Sequence, residues 1–355
     1  MFDYARDAIS SVLFHTPMNV RLWLTQRCNY RCEMCSAVQD SNGPEMDLDA
    51  LRGAFRNLKK TRVRQVVLTG GEPTLRADIV DIVEACASAG FRVRMQTNGG
   101  PQVTEALLDR CYDKGLSDLS VSLDTLDPSL QDEICKARGV VSSALRVLKH
   151  AAARHGHRGV VSANVVMSAL NFQELPSIIR ATRQLGIFFG PCIYTRSFTS
   201  DTFQGAPADR FDLRSIPADV RESVFDQMLE LYDQDYPIIT ASRTLRAMRD
   251  FMRSGSMAWP CRAGELSFDV LPSGELAPCC EKTASARQAP VANIRRDDFL
   301  AVYQSREFRD KCRTAREACP GCLYACYRDP AYLRYDPRTQ VETLSKTVRY
   351  GKWAS

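Results

Sequence analysis

Three cysteines stand close together near the start of the chain, in Cys28-Asn-Tyr-Arg-Cys32-Glu-Met-Cys35. They follow an apolar run over 19–24 that reads as a strand. Thiolates are soft ligands and select iron–sulfur clusters, zinc or copper(I). Ordinary clusters take four Cys ligands, and structural zinc usually takes four protein ligands. This loop supplies three, which leaves a metal position open, and an open position is where chemistry happens. The plainer reading is a zinc-binding or redox cysteine loop.

Of the fourteen cysteines, seven more lie between Cys261 and Cys326. The residues from Leu266 to Leu271 read as a strand, Pro272-Ser-Gly274 as a turn, and Glu275 to Cys280 as the return. Such a hairpin brings Cys279 back toward Cys261. A helix is expected over 298–313, and Cys319-Pro-Gly-Cys322 follows it. A Cys pair around a hairpin plus a distant C-x2-C is a tetrahedral-metal pattern. On these residues alone a zinc ribbon competes evenly with iron. Cys86, Cys111, Cys135 and Cys192 are scattered and read as buried small hydrophobes.

The elements that must position these cysteines alternate. Strands are expected over 63–68, 91–96, 116–123, 160–167 and 186–194, with helices over 48–60, 77–89, 103–114, 142–154 and 171–185. Asn171 with Glu174 reads as a capping box for the last of these. Asp127 before Pro128 reads as a helix N-cap. Strands alternating with helices imply a parallel sheet, with the site at the carboxyl ends of the strands. The three-cysteine loop, Gly70-Gly71-Glu72-Pro73, Thr97-Asn98-Gly99 and Ser122/Asp124 all fall at such ends. Glycines there let backbone approach a ligand closely, although Gly-Gly is also an ordinary strand-to-helix turn. Ser122 and Asp124 are two apart and so face one side of their strand. Arg196, after the sixth strand, has the fork geometry to clamp a carboxylate or phosphate, or is a surface arginine.

The cysteine spacing C-x3-C-x2-C after a first strand, with Gly-Gly-Glu-Pro after the second, resembles the radical S-adenosylmethionine (SAM) superfamily. The resemblance implies an α/β fold, a partial (β/α)6 TIM-like barrel. It implies that Cys28, Cys32 and Cys35 hold a 4Fe–4S cluster whose fourth iron binds SAM. There SAM is reductively cleaved to a 5′-deoxyadenosyl radical that takes hydrogen from substrate. Gly70, Gly71, Glu72, Asn98, Ser122, Asp124 and Asn164 become the expected SAM contacts, and Asp124 and Arg196 the candidate catalytic groups. Met34 stands where relatives often have an aromatic, and its flexible side chain can fill the same gap.

The second cysteine group, with Gly274-x4-Cys279 and Asn293-Ile294, resembles the C-terminal SPASM or twitch extension. The full SPASM cysteine run is not matched, so one auxiliary 4Fe–4S cluster on Cys261, Cys279, Cys319 and Cys322 is expected. Cys280, Cys312 and Cys326 are then spare. The expected organisation is a helix over 1–17, the barrel over 18–198, a linker or lid with helices over 199–256, the cysteine-rich module over 257–327 and a tail over 328–355.

The 355 residues are 45% hydrophobic and 25% charged, as in soluble globular chains. A net charge of +5 permits an anionic ligand without demanding nucleic acid. No run is long enough to span a membrane, and Met1 to Asp7 has acids rather than a signal peptide's pattern. A cytoplasmic enzyme is expected, served by a flavodoxin or ferredoxin-type reductant and free of nucleic-acid and membrane partners. The substrate expected from the resemblance is a small polar metabolite, a sugar or nucleoside, undergoing oxidation, epimerisation or decarboxylation. With 27 residues before Cys28, the N-terminal peptide-binding domain that many peptide maturases carry is not expected ahead of the loop. Such a domain can be a separate protein, so this weakens the peptide reading without excluding it. A peptide-modifying maturase is the alternative, and a non-catalytic zinc or Fe–S binding protein is the alternative of another class.

Overall fold

The computed structural model describes residues 16–35, 43–194, 210–254, 261–288, 290–319, 322 and 324–351. The helix expected near the amino terminus and most of the lid lie outside these residues.

The chain enters on β1 (Asn19–Thr25) and passes the cysteine loop to α1 (Leu48–Lys59). Helix α1 forms because Leu51, Ala54, Phe55 and Leu58 recur at helical spacing and are all buried. Asp47 caps it, accepting from the Ala50 N–H at 2.8 Å. Burying the larger of these side chains contributes roughly 1.5–3 kcal/mol each. Alternation then continues: β2 (Gln65–Gly70), α2 (Ile79–Ser88), β3 (Arg92–Thr97), α3 (Glu105–Asp113) and β4 (Leu116–Ser122). Two helices follow, α4 (Pro128–Cys135) and α5 (Val140–His155), then β5 (Val161–Met167), α6 (Leu175–Gln184) and β6 (Phe188–Ile193). Helices α7 (Ala218–Asp233) and α8 (Ser242–Ser254) lead to the hairpin β7 (Ser267–Val270) and β8 (Leu276–Ala277). The rest is helical: α9 (Thr283–Gln288), α10 (Phe299–Gln304), α11 (Arg306–Glu317), α12 (Ala325–Tyr335) and α13 (Pro337–Gly351).

The strands form one open sheet in the order β6-β5-β4-β3-β2-β1-β7-β8. Every pair from β6 to β7 is parallel, and only β7–β8 is antiparallel. All the parallel strands therefore end on the same side, as the α/β expectation required. On β1 the even positions Val20, Leu22 and Leu24 enter the main apolar core beneath the helices. The odd positions Arg21 and Trp23 turn to the other face, where both meet Asp269 of β7.

Three sequence expectations change, and the tail takes a definite form. The cysteine-rich hairpin does not stand apart: β7 pairs with β1 and covers the edge that a six-stranded arc would leave open. The helix expected over 298–313 breaks at Ser305, whose extended backbone and side chain cap α11 at the Phe308 N–H. Asn171 forms no capping box. Its amide donates to the Asp124 and Val166 carbonyls and accepts from Ser168 N–H, which ties two strand ends together. The tail is two packed helices, with Tyr327 on Asp269 and Tyr350 edge-on to Phe188. No helix among the described residues is long and apolar enough to cross a membrane.

Candidate metal and cofactor site

Cys28, Cys32 and Cys35 follow β1 at the carboxyl end of the sheet, all half-buried. Their loop rests on an apolar bed of Tyr30, Ile134, Cys135, Tyr194 and Phe211, with Met34 packed against it. Its backbone is pinned to the last turn of α4: Arg31 N–H reaches the Cys135 carbonyl and Glu33 N–H the Ile134 carbonyl, both at 3.1 Å. Cys28 Sγ accepts from Tyr30 N–H at 3.4 Å and from the Asn98 amide at 3.8 Å. Burial pushes the Cys28 thiol up, and these donors pull it back. Such N–H···S bonds are what a thiolate ligand requires to bear its charge.

The Gly-Gly pair has a reason visible in the backbone. Gly71 N–H donates to the Thr25 carbonyl and Glu72 N–H to the Arg27 carbonyl, each at 2.8 Å. A Cβ on Gly71 would lie 2.3 Å from the Arg27 oxygen, and one on Gly70 2.2 Å from the Thr25 oxygen. Gly70 also adopts φ of 139°, open mainly to glycine. The pair thus clamps the strand that delivers Cys28. Glu72 is fully buried rather than lining open space. It accepts from Thr74 N–H (3.1 Å), Thr97 Oγ1 (2.7 Å) and Asn98 N–H (2.7 Å), and so sets the backbone from which Asn98 reaches Cys28.

The remaining expected contacts divide. Ser122 is exposed at the end of β4, and Asn164 is half-buried opposite it on β5. Asp124 is 4% exposed and accepts from Val166 N–H at 2.8 Å, a bond across to β5. Burial lifts its carboxyl to about 6. Arg196 lies outside the described residues.

The second group gathers around the hairpin. Burial raises the thiols of Cys261, Cys279 and Cys322, and neighbouring thiols add to it: Cys319 acts on Cys261, Cys322 and Cys261 on Cys279, Cys261 and Cys319 on Cys322. Each of the four thus lies near at least one of the others. Among the described residues no three of their sulfurs fall within 4.8 Å of one another. The other three have contacts of their own. Cys312 is packed in the main core, and Cys326 Sγ accepts from Arg21 Nη1 at 2.8 Å. Cys280 N–H donates to the Tyr327 hydroxyl at 2.6 Å.

The family model of the radical SAM superfamily matches residues 24–181, and that of the SPASM iron-sulfur cluster-binding domain residues 261–327. The chain belongs to the radical SAM superfamily and carries a SPASM domain. Members of this family hold a 4Fe–4S cluster with SAM in the barrel and auxiliary Fe–S clusters in the SPASM domain, and both donor sets described above fit that chemistry.

Relatives fall into two kinds. The GTP 3',8-cyclase of Marinobacter nauticus is 33% identical over 168 residues, 46% of this chain and 50% of that protein. This chain thus spans about half the length of the GTP 3',8-cyclases it matches. The PqqA peptide cyclase of Bradyrhizobium diazoefficiens is 24% identical over 326 residues, 88% of this chain and 80% of that protein. Among solved structures, Streptococcus suis SuiB superposes with a TM-score of 0.65 at 18% identity, over 88% of this chain and 72% of that one. The AdoMet-bound anSMEcpe does so with 0.65 at 13%, over 94% and 96%.

Sequence reasoning missed the support of the cysteine loop. Cys135 touches Cys32, yet its own neighbourhood in sequence carries no metal pattern. Arg210 bridges Glu33 of the loop (3.0 Å) to Glu133 of α4, and nothing in its flanks announces that. The described residues hold one further ligand-like group, Asp109 with His150 (2.8 Å) and His155 (2.7 Å). It joins α3 to α5 on the helical layer, and Tyr112 stacks on His155 at 4.0 Å.

Proposed function

We propose that this radical SAM enzyme modifies a peptide. What supports the reading is the reach of the two kinds of likeness. Similarity to the PqqA peptide cyclase covers 88% of the chain and so reaches both barrel and SPASM domain, whereas similarity to the GTP 3',8-cyclases covers under half of it. An auxiliary domain shared with a relative bears on substrate in a way that a shared barrel does not. SuiB, a structure of like fold, was crystallised with its precursor peptide SuiA, which is consistent with the reading. The small polar metabolite expected from sequence alone is thereby the weaker alternative.

In this proposal Cys28, Cys32 and Cys35 hold the SAM-binding cluster, and Cys261, Cys279, Cys319 and Cys322 hold one auxiliary cluster. When bound, cluster and SAM supply the means to remove hydrogen from an unactivated carbon. The chain's own residues orient and shield. Gly70 and Gly71 fix the entry to the cysteine loop, Glu72 fixes Asn98, and the apolar bed under the loop excludes water. Ser122 and Asn164 offer hydrogen bonds to SAM or substrate. Asp124 helps position β5, since one of its oxygens accepts from Val166 N–H.

The test is fractionation. Extract of the source cells is separated by size, with and without protease, and each fraction is added to reconstituted enzyme with SAM and dithionite. Production of 5′-deoxyadenosine stimulated by a protease-sensitive fraction supports the proposal. Stimulation confined to a small, protease-resistant fraction overturns it in favour of a metabolite.

A further inference from the structure

We infer that a basic cavity at the amino-terminal end of the sheet is a binding site for a multiply anionic, phosphate-bearing small molecule. Its volume is about 730 Å3, within the roughly 300–1,000 Å3 of small-molecule sites. Six cationic side chains line it: Lys60, Arg62, Arg309, Arg313, Arg316 and Arg334. The chain as a whole carries a net charge of only +5, so this is a concentrated patch.

The place is distinct from the SAM site. Thr16, Arg62 and Glu265 line the cavity, and each lies two or three residues before a parallel strand, β1, β2 or β7. The cysteine loop leaves the other end of β1. Seven residues at about 3.3 Å each separate the two ends by roughly 20 Å. The inference therefore does not rest on the peptide reading.

Part of this charge is available to a ligand. Glu265 is the one acid among the lining residues, and both its oxygens are engaged, with Arg262 at 3.0 Å and the Tyr335 hydroxyl at 3.3 Å. Among the described residues Arg309 has no carboxylate partner. Arg316 donates to a neutral group, the Ala263 carbonyl, at 3.0 Å. The pairs that Lys60 makes with Asp298 at 3.1 Å, and Arg313 with Asp310 at 2.9 Å and Glu317 at 3.7 Å, are exposed and exchangeable. On α11, Arg309, Arg313 and Arg316 recur at i, i+4 and i+7 and so share one face. Several guanidinium forks converging on a concave space match phosphate oxygens bidentately, as ammonium groups cannot. A recess of this size holds a nucleotide or sugar phosphate rather than a flat protein surface.

The arrangement also reaches the auxiliary domain. Gly264 lines the cavity three residues after Cys261, and Arg316 acts electrostatically on the Cys261 thiol.

The experiment is calorimetric titration of the cluster-loaded enzyme with ATP, without divalent metal and with SAM saturating. One site per chain is expected. Arg309→Ala and Arg313→Ala, both at exposed positions on α11, should each weaken binding about tenfold, one charge-assisted contact's worth. Iron content and circular dichroism unchanged in these variants keep folding out of the comparison. Absent saturable binding, binding indifferent to the double variant, or displacement of ATP by SAM would each overturn the inference. So would binding of single-stranded RNA that tightens with length while ATP fails to bind, which would mean an open nucleic-acid groove.

Discussion

Glu72→Gln is the sharpest probe of how the SAM site is built. The change is nearly isosteric, and it alters only which atoms accept hydrogen. In the native site one carboxylate oxygen serves Thr74 N–H and the hydroxyls of Thr74 and Thr97, and the other serves Asn98 N–H. Glutamine has one acceptor and one NH2 group. With the NH2 toward Asn98, the Asn98 N–H faces a donor. Flipped, the NH2 faces Thr74 N–H, and only the hydroxyls can rotate to accommodate it. Either orientation strands one buried backbone N–H, at a cost of about 1–3 kcal/mol. Burial foremost raises the Glu72 pKa despite its donors, so removing the charge offsets part of this. The working figure is about 1 kcal/mol, or roughly 2–4 °C in melting midpoint for a domain of this size. Urea titration of the apoprotein reads the stability, and SAM affinity of the loaded enzyme reads the displaced Asn98. A variant as stable as wild type that binds SAM equally well would refute the role given to Glu72.

Other expectations are as direct. Gly71→Ala places a methyl 2.3 Å from the Arg27 oxygen; the displacement should cost about 1–3 kcal/mol, and normal iron loading at the first cysteine loop would contradict the clamp. Cys279→Ala should lose about four irons of about eight while Cys312→Ala and Cys326→Ala lose none, as iron analysis after reconstitution will tell; equal losses would redraw the ligand set. Burial lifts the Asp329 carboxyl from 3.8 to about 6, although Thr240 and Thr244 donate to it. The folded state thus keeps a proton that the unfolded chain has released, so this group's stabilisation is complete below pH 3.8 and is lost as pH rises through 6. Asp329→Asn should therefore gain on wild type between about pH 4 and pH 7 in paired urea titrations, and a difference that does not move with pH would count against it.

What the sequence made legible was whatever depends on near neighbours in the chain. The strand-end placement of Cys28, Gly70 and Ser122 follows from hydrophobic periodicity, and the structure holds it. Asp127 does cap α4, accepting from Ser129 and Leu130 N–H. What escaped was pairing across long loops. Asp269 reads as a charged residue in a strand, and only the register of β7 on β1 makes it the buried partner of Arg21. Asn171 obeyed a local capping pattern, yet the carbonyls of Asp124 and Val166 drew its amide away. Glu72 reads as a ligand contact by motif, and burial turned it inward.

The Arg21–Asp269 pair sets a condition on synthesis. Its members are 248 residues apart, and each is almost wholly enclosed once joined. At ribosomal rates of about 5–20 residues per second the first strand waits roughly 12–50 s for its counter-ion. Through that interval the barrel carries an unmatched guanidinium on a bare strand edge. The cysteine-rich module is thus the closing piece of the sheet, and a chain cut before it would keep the edge exposed and the charge unanswered.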